Sequence, residues 1–155
     1  NLTPQEYKAI AEEHFDVWHR SSKSFYIHYE TSIHIPDYRN AAFQLHQATE
    51  HCFACLLLVL TNYKPYTHNL IRLNSLAISQ NARIAEVFPQ DTKMHRSRFQ
   101  LLKKAYVEAR YSMHYKISLE ELTWLGERVK HLQELTEKLC KEKIANFDQS
   151  LSNNT

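Results

Sequence analysis

Two short stretches hold most of the side chains able to do chemistry. "HQATEH" (46–51) packs His46, Gln47, Glu50 and His51 into six positions, just ahead of the most apolar run, "CFACLLLVL" (52–60). On a helix, His46 and Glu50 share one face, and Gln47 and His51 share the adjacent one. Such pairs could begin a metal site, but zinc takes three or four ligands with supporting hydrogen bonds behind them. Neither HExxH nor a matching second half is present, so the cluster reads as the polar edge of a buried helix, with no metal expected. Cys52 and Cys55 form C-x-x-C inside the apolar run, where they read as small core residues.

The second stretch is "AYVEARYSMHY" (105–115). Tyr106, Arg110 and His114 would share one helical face, with Tyr111 and Tyr115 on the next. A guanidinium offers planar donors that suit phosphate, and tyrosines offer stacking faces with hydroxyl handles. An equally open alternative pairs Arg110 with a carboxylate across a bundle, and Glu50 is an available partner. His68, in "PYTHNL", opens a short helix, where capping or packing is favoured over ligand contact. His95, Arg96, Arg98, Lys103 and Lys104 form a local basic run that reads as a solvated face.

The elements that hold these side chains should be helices. One glycine and four prolines leave little material for tight turns, and good helix formers are plentiful. Thr3, Pro4 and Glu6 form a capping signal for a first helix. It carries Ile10, Phe15, Trp18, Phe25, Tyr26, Tyr29 and Ile33, with a break expected at "RSSKS" (20–24) and an end before Pro36. Asp37 can cap a second helix with Ala41, Ala42, Leu45, Ala48, Cys52, Cys55, Leu56 and Val59 facing inward. A loop around Pro65 precedes two short helical pieces, one with Leu70, Leu73 and Leu76 and one at "ARIAEVF". Asp91 or Thr92 caps a third long helix bearing Phe99, Leu102, Tyr106 and Val107, fading near Ser112. Ser118, with Glu121 three later, starts the last, where Leu119, Leu122, Leu125, Val129, Leu132, Leu135 and Leu139 recur at steps of three and four. The expected fold is all-α: an antiparallel up-and-down four-helix bundle over residues 1–145 with short additional helices, and a frayed polar tail at 146–155.

Composition narrows the function classes. A chain of 155 residues is the size of one domain, and its formal charge of +2 is too balanced for a duplex-DNA footprint. The longest apolar run falls well short of the ~20 residues a membrane span needs. Three cysteines without framework spacing suit the cytoplasm. The opening "NLTPQEYKAIAEEHF" has neither an initiator methionine nor a signal-peptide core, and reads as a piece of a longer polypeptide. Trp18, Phe25, Tyr26 and Tyr29 are more aromatics than one helix needs to bury, which predicts a homodimer.

Three segments together, "AAFQLHQATEHCFACLLLVLTNYKPYTHNL", "RFQLLKKAYVEARYSMHYKIS" and "EELTWLGERVKHL", resemble the HEPN domain family, over roughly residues 13 to 140. The resemblance implies an up-and-down helical bundle, frequently dimeric, encoded beside or fused to a minimal nucleotidyltransferase domain. Members are either binders of nucleotides and other substrates or metal-independent ribonucleases. The ribonucleases carry an Arg followed after four to six residues by a His near the end of the late helix. Here Arg110 and His114 have three residues between them, so that motif is not reproduced. Arg39 and His46 have six between them but lie on the early helix. The resemblance thus implies a non-catalytic module that binds a nucleotide or phosphorylated small molecule, without a cofactor, partnering a nucleotidyltransferase domain in cis or in trans. Arg110 and Lys104 would face phosphate, with Tyr106, Tyr111 and Tyr115 near base or sugar. Glu50 would orient Arg110, with His46 or Gln47 reaching the cavity between them, and His68 would lie at its edge. The alternatives are an RNA-cleaving enzyme using Arg110 and His114, and a purely structural dimerisation module.

Overall fold

A computed structural model describes residues 1–153, with side chains through Gln149. Among them there is no strand. The helices are α1 (Pro4–His34), α2 (Tyr38–Thr61), α3 (Leu70–Gln80), α4 (Lys93–Lys104), α5 (Glu108–Tyr111) and α6 (Leu119–Asn153), with a 3-10 turn at Ala82–Glu86. The all-helical bundle expected from the composition is the observed architecture.

Local chemistry sets most of the helix starts. Thr3 accepts from the Glu6 amide while the Glu6 side chain accepts from the Thr3 amide, closing the capping box of α1. Asp37 caps α2, Asn69 caps α3 and Thr92 caps α4. Ser118 and Glu121 bond reciprocally at the start of α6. Helix α2 ends at Asn62, whose φ of 59° is the left-handed conformation that asparagine tolerates better than most residues.

Register contacts orient the three long helices. Tyr29 reaches the Leu122 carbonyl, Gln133 bonds Ser22, and Lys8 pairs with Asp148, so α1 runs antiparallel to α6. Cys52 bonds Thr136, and α2 follows α1 after a three-residue link, so α2 is antiparallel to α1 and parallel to α6. The α2 stripe from Ala41 to Val59 is buried as its spacing indicates. Helix α3 packs on α2, while α4 leans on α2 and α6.

Three local expectations change. The "RSSKS" stretch does not interrupt α1. Ser22 is buried there, donating to the Ala48 carbonyl and accepting from Gln133, and its small side chain lets the helices approach. The first-helix aromatics are engaged within the chain: Tyr26 and Tyr29 donate to α6 carbonyls, while Trp18 and Phe25 lie against His51. The third long helix is two pieces, because α4 stops at Lys104 and the chain restarts as α5. The tail expected from residue 146 begins inside α6, whose backbone continues to Asn153, and its last two residues lie outside the described ones. No helix is long and apolar enough to cross a membrane among the described residues.

Candidate functional site

The polar cluster forms where the middle of α2, the start of α3 and the α4–α5 turn meet. Arg39, in the first turn of α2, holds α5 and the loop that follows it. Its guanidinium donates to the carbonyls of Tyr115 at 2.9 Å, Ser112, and Glu108 at 3.4 Å. These bonds hold carbonyls of α5 and the loop after it, adding to the backbone bonds that the Glu108 and Ser112 carbonyls accept from the Ser112 and Tyr115 amides. With the turn held, Tyr106 and Arg110 face α2.

Glu50 does not pair with Arg110. Its carboxylate accepts from Nδ1 of His68 at 2.7 Å, and the Glu50 side chain is 14% exposed. His68 in turn stacks on Tyr106, with ring centroids 4.0 Å apart and 13° between planes. Its backbone carbonyl accepts from Nε2 of His46 at 3.1 Å. His46 is fully buried, meets the Gln47 amide at 3.2 Å and tilts against Tyr106. Burial pushes the His46 imidazole down to about 4, because a charged ring would lose its hydration there. His46 is thus a neutral fixture of the site wall.

Arg110 is exposed and takes a different role from the expected carboxylate partner. Its Nε donates to the Tyr106 carbonyl at 2.7 Å. Its Cζ lies 4.5 Å from the Phe43 ring centroid, 4.7 Å from Tyr106 and 5.0 Å from Tyr111. The guanidinium therefore rests among three aromatic rings, an arrangement stabilised by their quadrupoles. No acidic side chain bonds it among the described residues. The physical reason is competition: Glu50 is held by the His68 ring, while the aromatic surface draws the arginine outward.

The other expected residues separate. Tyr111 is 75% exposed beside Arg110. Tyr115 is 5% exposed and donates its hydroxyl to the Leu101 carbonyl, so it packs the core beneath the turn; burial raises its phenol far above the ordinary range. Lys104 is exposed at the end of α4 and makes no hydrogen bond or ion pair among the described residues. His114 does not share a face with Arg110, because α5 ends at Tyr111 and Ser112 is extended. Arg98 and His95, expected on a solvated face, lie against Trp124. Sequence reasoning passed over Phe43 and set Arg39 aside because it lies on the early helix. Phe43 lies three residues before His46, a spacing that puts both on one face of α2. Arg39 carries no such local sign, since its partners are about 70 positions away.

Among the described residues, no three of His, Cys, Asp and Glu gather to hold a metal ion. What the cluster offers is a displayed guanidinium, aromatic faces and an imidazole tied to a carboxylate. A family model described as HEPN domain matches residues 15–143. No curated protein matches the chain.

Proposed function

The chain belongs to the HEPN domain family, and from that premise we propose that it is a non-catalytic module binding a nucleotide or phosphorylated small molecule at Arg110. The observation carrying this reading is the Arg110 guanidinium, exposed, free of a carboxylate partner among the described residues, and seated among Phe43, Tyr106 and Tyr111. A tethered Nε leaves the terminal nitrogens available for a phosphate, which they meet as a planar fork. The exposed ring of Tyr111 supplies a face for a base, and Lys104 adds positive charge two residues before Tyr106.

The same reading makes the chain the partner of a nucleotidyltransferase domain, in the same polypeptide or a separate one, in the cytoplasm. It also makes the chain a homodimer. Exposed Val17 and Ile27 on α1 support a self-contact there, in place of the aromatics already engaged inside the chain. Three free, buried cysteines support a reducing compartment.

A second reading, metal-independent RNA cleavage, draws on exposed Arg110 and exposed His114 occurring in one short segment. In it Arg110 would stabilise charge on phosphorus and His114 would transfer a proton. The deciding experiment is calorimetric titration of the protein with ATP and GTP beside an RNA cleavage assay in chelator. Saturable nucleotide binding without cleavage is the expected result. Cleavage that His114→Ala abolishes would replace the binding module with an enzyme.

A further inference from the structure

Resting on the nucleotide-site reading, we propose that the Glu50–His68 pair makes this site select ribonucleotides: Nε2 of His68 accepts a hydrogen bond from a ribose hydroxyl of the ligand whose phosphate Arg110 holds. Four features of the cluster carry this.

The first is the direction of the hydrogen bond between the pair. An ionised carboxylate can only accept, so Nδ1 of His68 donates to Glu50 across their 2.7 Å contact. In a neutral imidazole the remaining nitrogen then carries a lone pair. In that neutral form Nε2 is an acceptor, and Glu50 selects the tautomer.

Fixation comes next. The ring is held by Glu50 on α2 and by its stack on Tyr106. The backbone beneath it is held by His46, and Asn69 caps the following helix. An acceptor positioned before the ligand arrives loses little freedom on binding.

Availability is the third. Among the described residues Nε2 of His68 has no hydrogen-bond partner, and the side chain is 38% exposed. Tying a loop to α2 needs one ring nitrogen, and Nδ1 serves that purpose alone. The second nitrogen is left without a partner among the described residues, on a side chain that is partly open to solvent.

The fourth is what stands beside it. The imidazole and the Arg110 guanidinium lie 4.0 Å and 4.7 Å from the centroid of the same Tyr106 ring, so one ligand of nucleotide size spans both. Arg110 attracts an anion, but a lone pair repels phosphate oxygens. A ligand that engages both groups presents a hydrogen-bond donor close to its phosphate. In a ribonucleotide the sugar hydroxyls are such donors, a few bonds from the phosphorus, while the base is free to lie on Tyr111.

The test uses the intact chain at pH 8. It compares ATP, 2′-deoxy-ATP and 3′-deoxy-ATP by calorimetric titration with wild type, His68→Phe and Glu50→Gln. Wild type should lose roughly ten-fold in affinity for at least one deoxy analogue, the effect of one hydrogen bond. His68→Phe keeps a ring against Tyr106 but has no acceptor, so it should bind all three alike and weakly. Glu50→Gln no longer enforces the tautomer and should show reduced discrimination. The wild-type comparison needs no variant to fold. Equal affinity of wild type for all three nucleotides, or discrimination that survives in His68→Phe, overturns the proposal while leaving the nucleotide site intact. No binding of ATP or GTP by folded wild type overturns both.

Discussion

The ring of Tyr29 occupies the space in which Gly126 would carry a side chain. A β-carbon at residue 126 would fall 2.2 Å from the Tyr29 hydroxyl oxygen and 2.7 Å from its ring. The sole glycine of the chain is thus what lets α1 lie against α6, with Tyr26 and Tyr29 bonding carbonyls at 126 and 122.

Gly126→Ala should therefore destabilise the fold despite the better helix propensity of alanine, worth ~1 kcal/mol. Tyr29 is buried and hydrogen-bonded, so it cannot swing aside freely, and overpacking of this kind costs about 1–3 kcal/mol. Denaturant titration should give a lower midpoint for Gly126→Ala, and the cost should vanish in a Tyr29→Ala background, because the two residues touch. A more stable Gly126→Ala in the wild-type background would show that the contact relaxes at no cost.

Stability should also fall with acid through His46. Its imidazole is held near 4 by burial, against an ordinary value of 6.5. Between those values the unfolded chain takes up a proton that the folded chain refuses, so stability is intact above pH 6.5 and declines as pH drops toward 4. The full effect is about 3 kcal/mol. His19 and His51, lowered by burial as well, tilt the profile the same way. His46→Gln should flatten the stability profile between pH 7 and 5 measured by urea titration, and an unchanged slope would place the ring in contact with water.

The three cysteines should be inert in the folded protein. Cys52, Cys55 and Cys140 are all buried. Burial pushes the Cys52 thiol up to about 12, and contact with Cys140 together with burial raises Cys55 further. Thiolate is the reactive form, so iodoacetamide should label none at neutral pH and all three in guanidinium, as read by mass spectrometry. Rapid labelling of either member of the C-x-x-C pair under native conditions would contradict its assignment to the core.

Arg39→Ala should loosen the Arg110 turn from a distance. It would release the carbonyls of Ser112 and Tyr115, at a cost of about 1.5–3 kcal/mol for charge-assisted bonds that are partly buried. Hydrogen exchange should quicken over residues 106–117 more than in α6, and nucleotide affinity should fall although Arg39 lies behind the turn. Unchanged exchange in that stretch would mean that packing alone holds it.

Much of this architecture was legible because its causes are local. Thr3 with Glu6, Asp37, Thr92, and Ser118 with Glu121 each bond an amide three residues away, and the α2 stripe announces its buried face by spacing alone. The site was half legible. His46, Gln47, Glu50, His68, Tyr106 and Arg110 do come together, but their pairings differ from expectation. Which base Glu50 takes depends on where the loop at Pro65 delivers His68, and no helical period encodes that. The end of α5 is equally non-local: a guanidinium from α2 bonds the carbonyls of Glu108, Ser112 and Tyr115, where the chain leaves the helix; His114 leaves the Arg110 face and Tyr115 turns into the core.

The central claim is that Arg110 holds the phosphate of a nucleotide, and calorimetric titration of wild type, Arg110→Lys and Arg110→Ala with ATP tests it most directly. Lysine keeps the charge but loses the planar fork, so Arg110→Lys should already weaken binding. Arg110→Ala should weaken it by about 1.5–3 kcal/mol, roughly ten-fold or more, with only a small fall in melting temperature from the lost ring contacts and Tyr106 bond, because the side chain is exposed and bonds no carboxylate. ATP affinity that is the same in all three proteins, or a large fall in melting temperature of Arg110→Ala with no ATP binding by wild type, would contradict the account and leave Arg110 a structural residue.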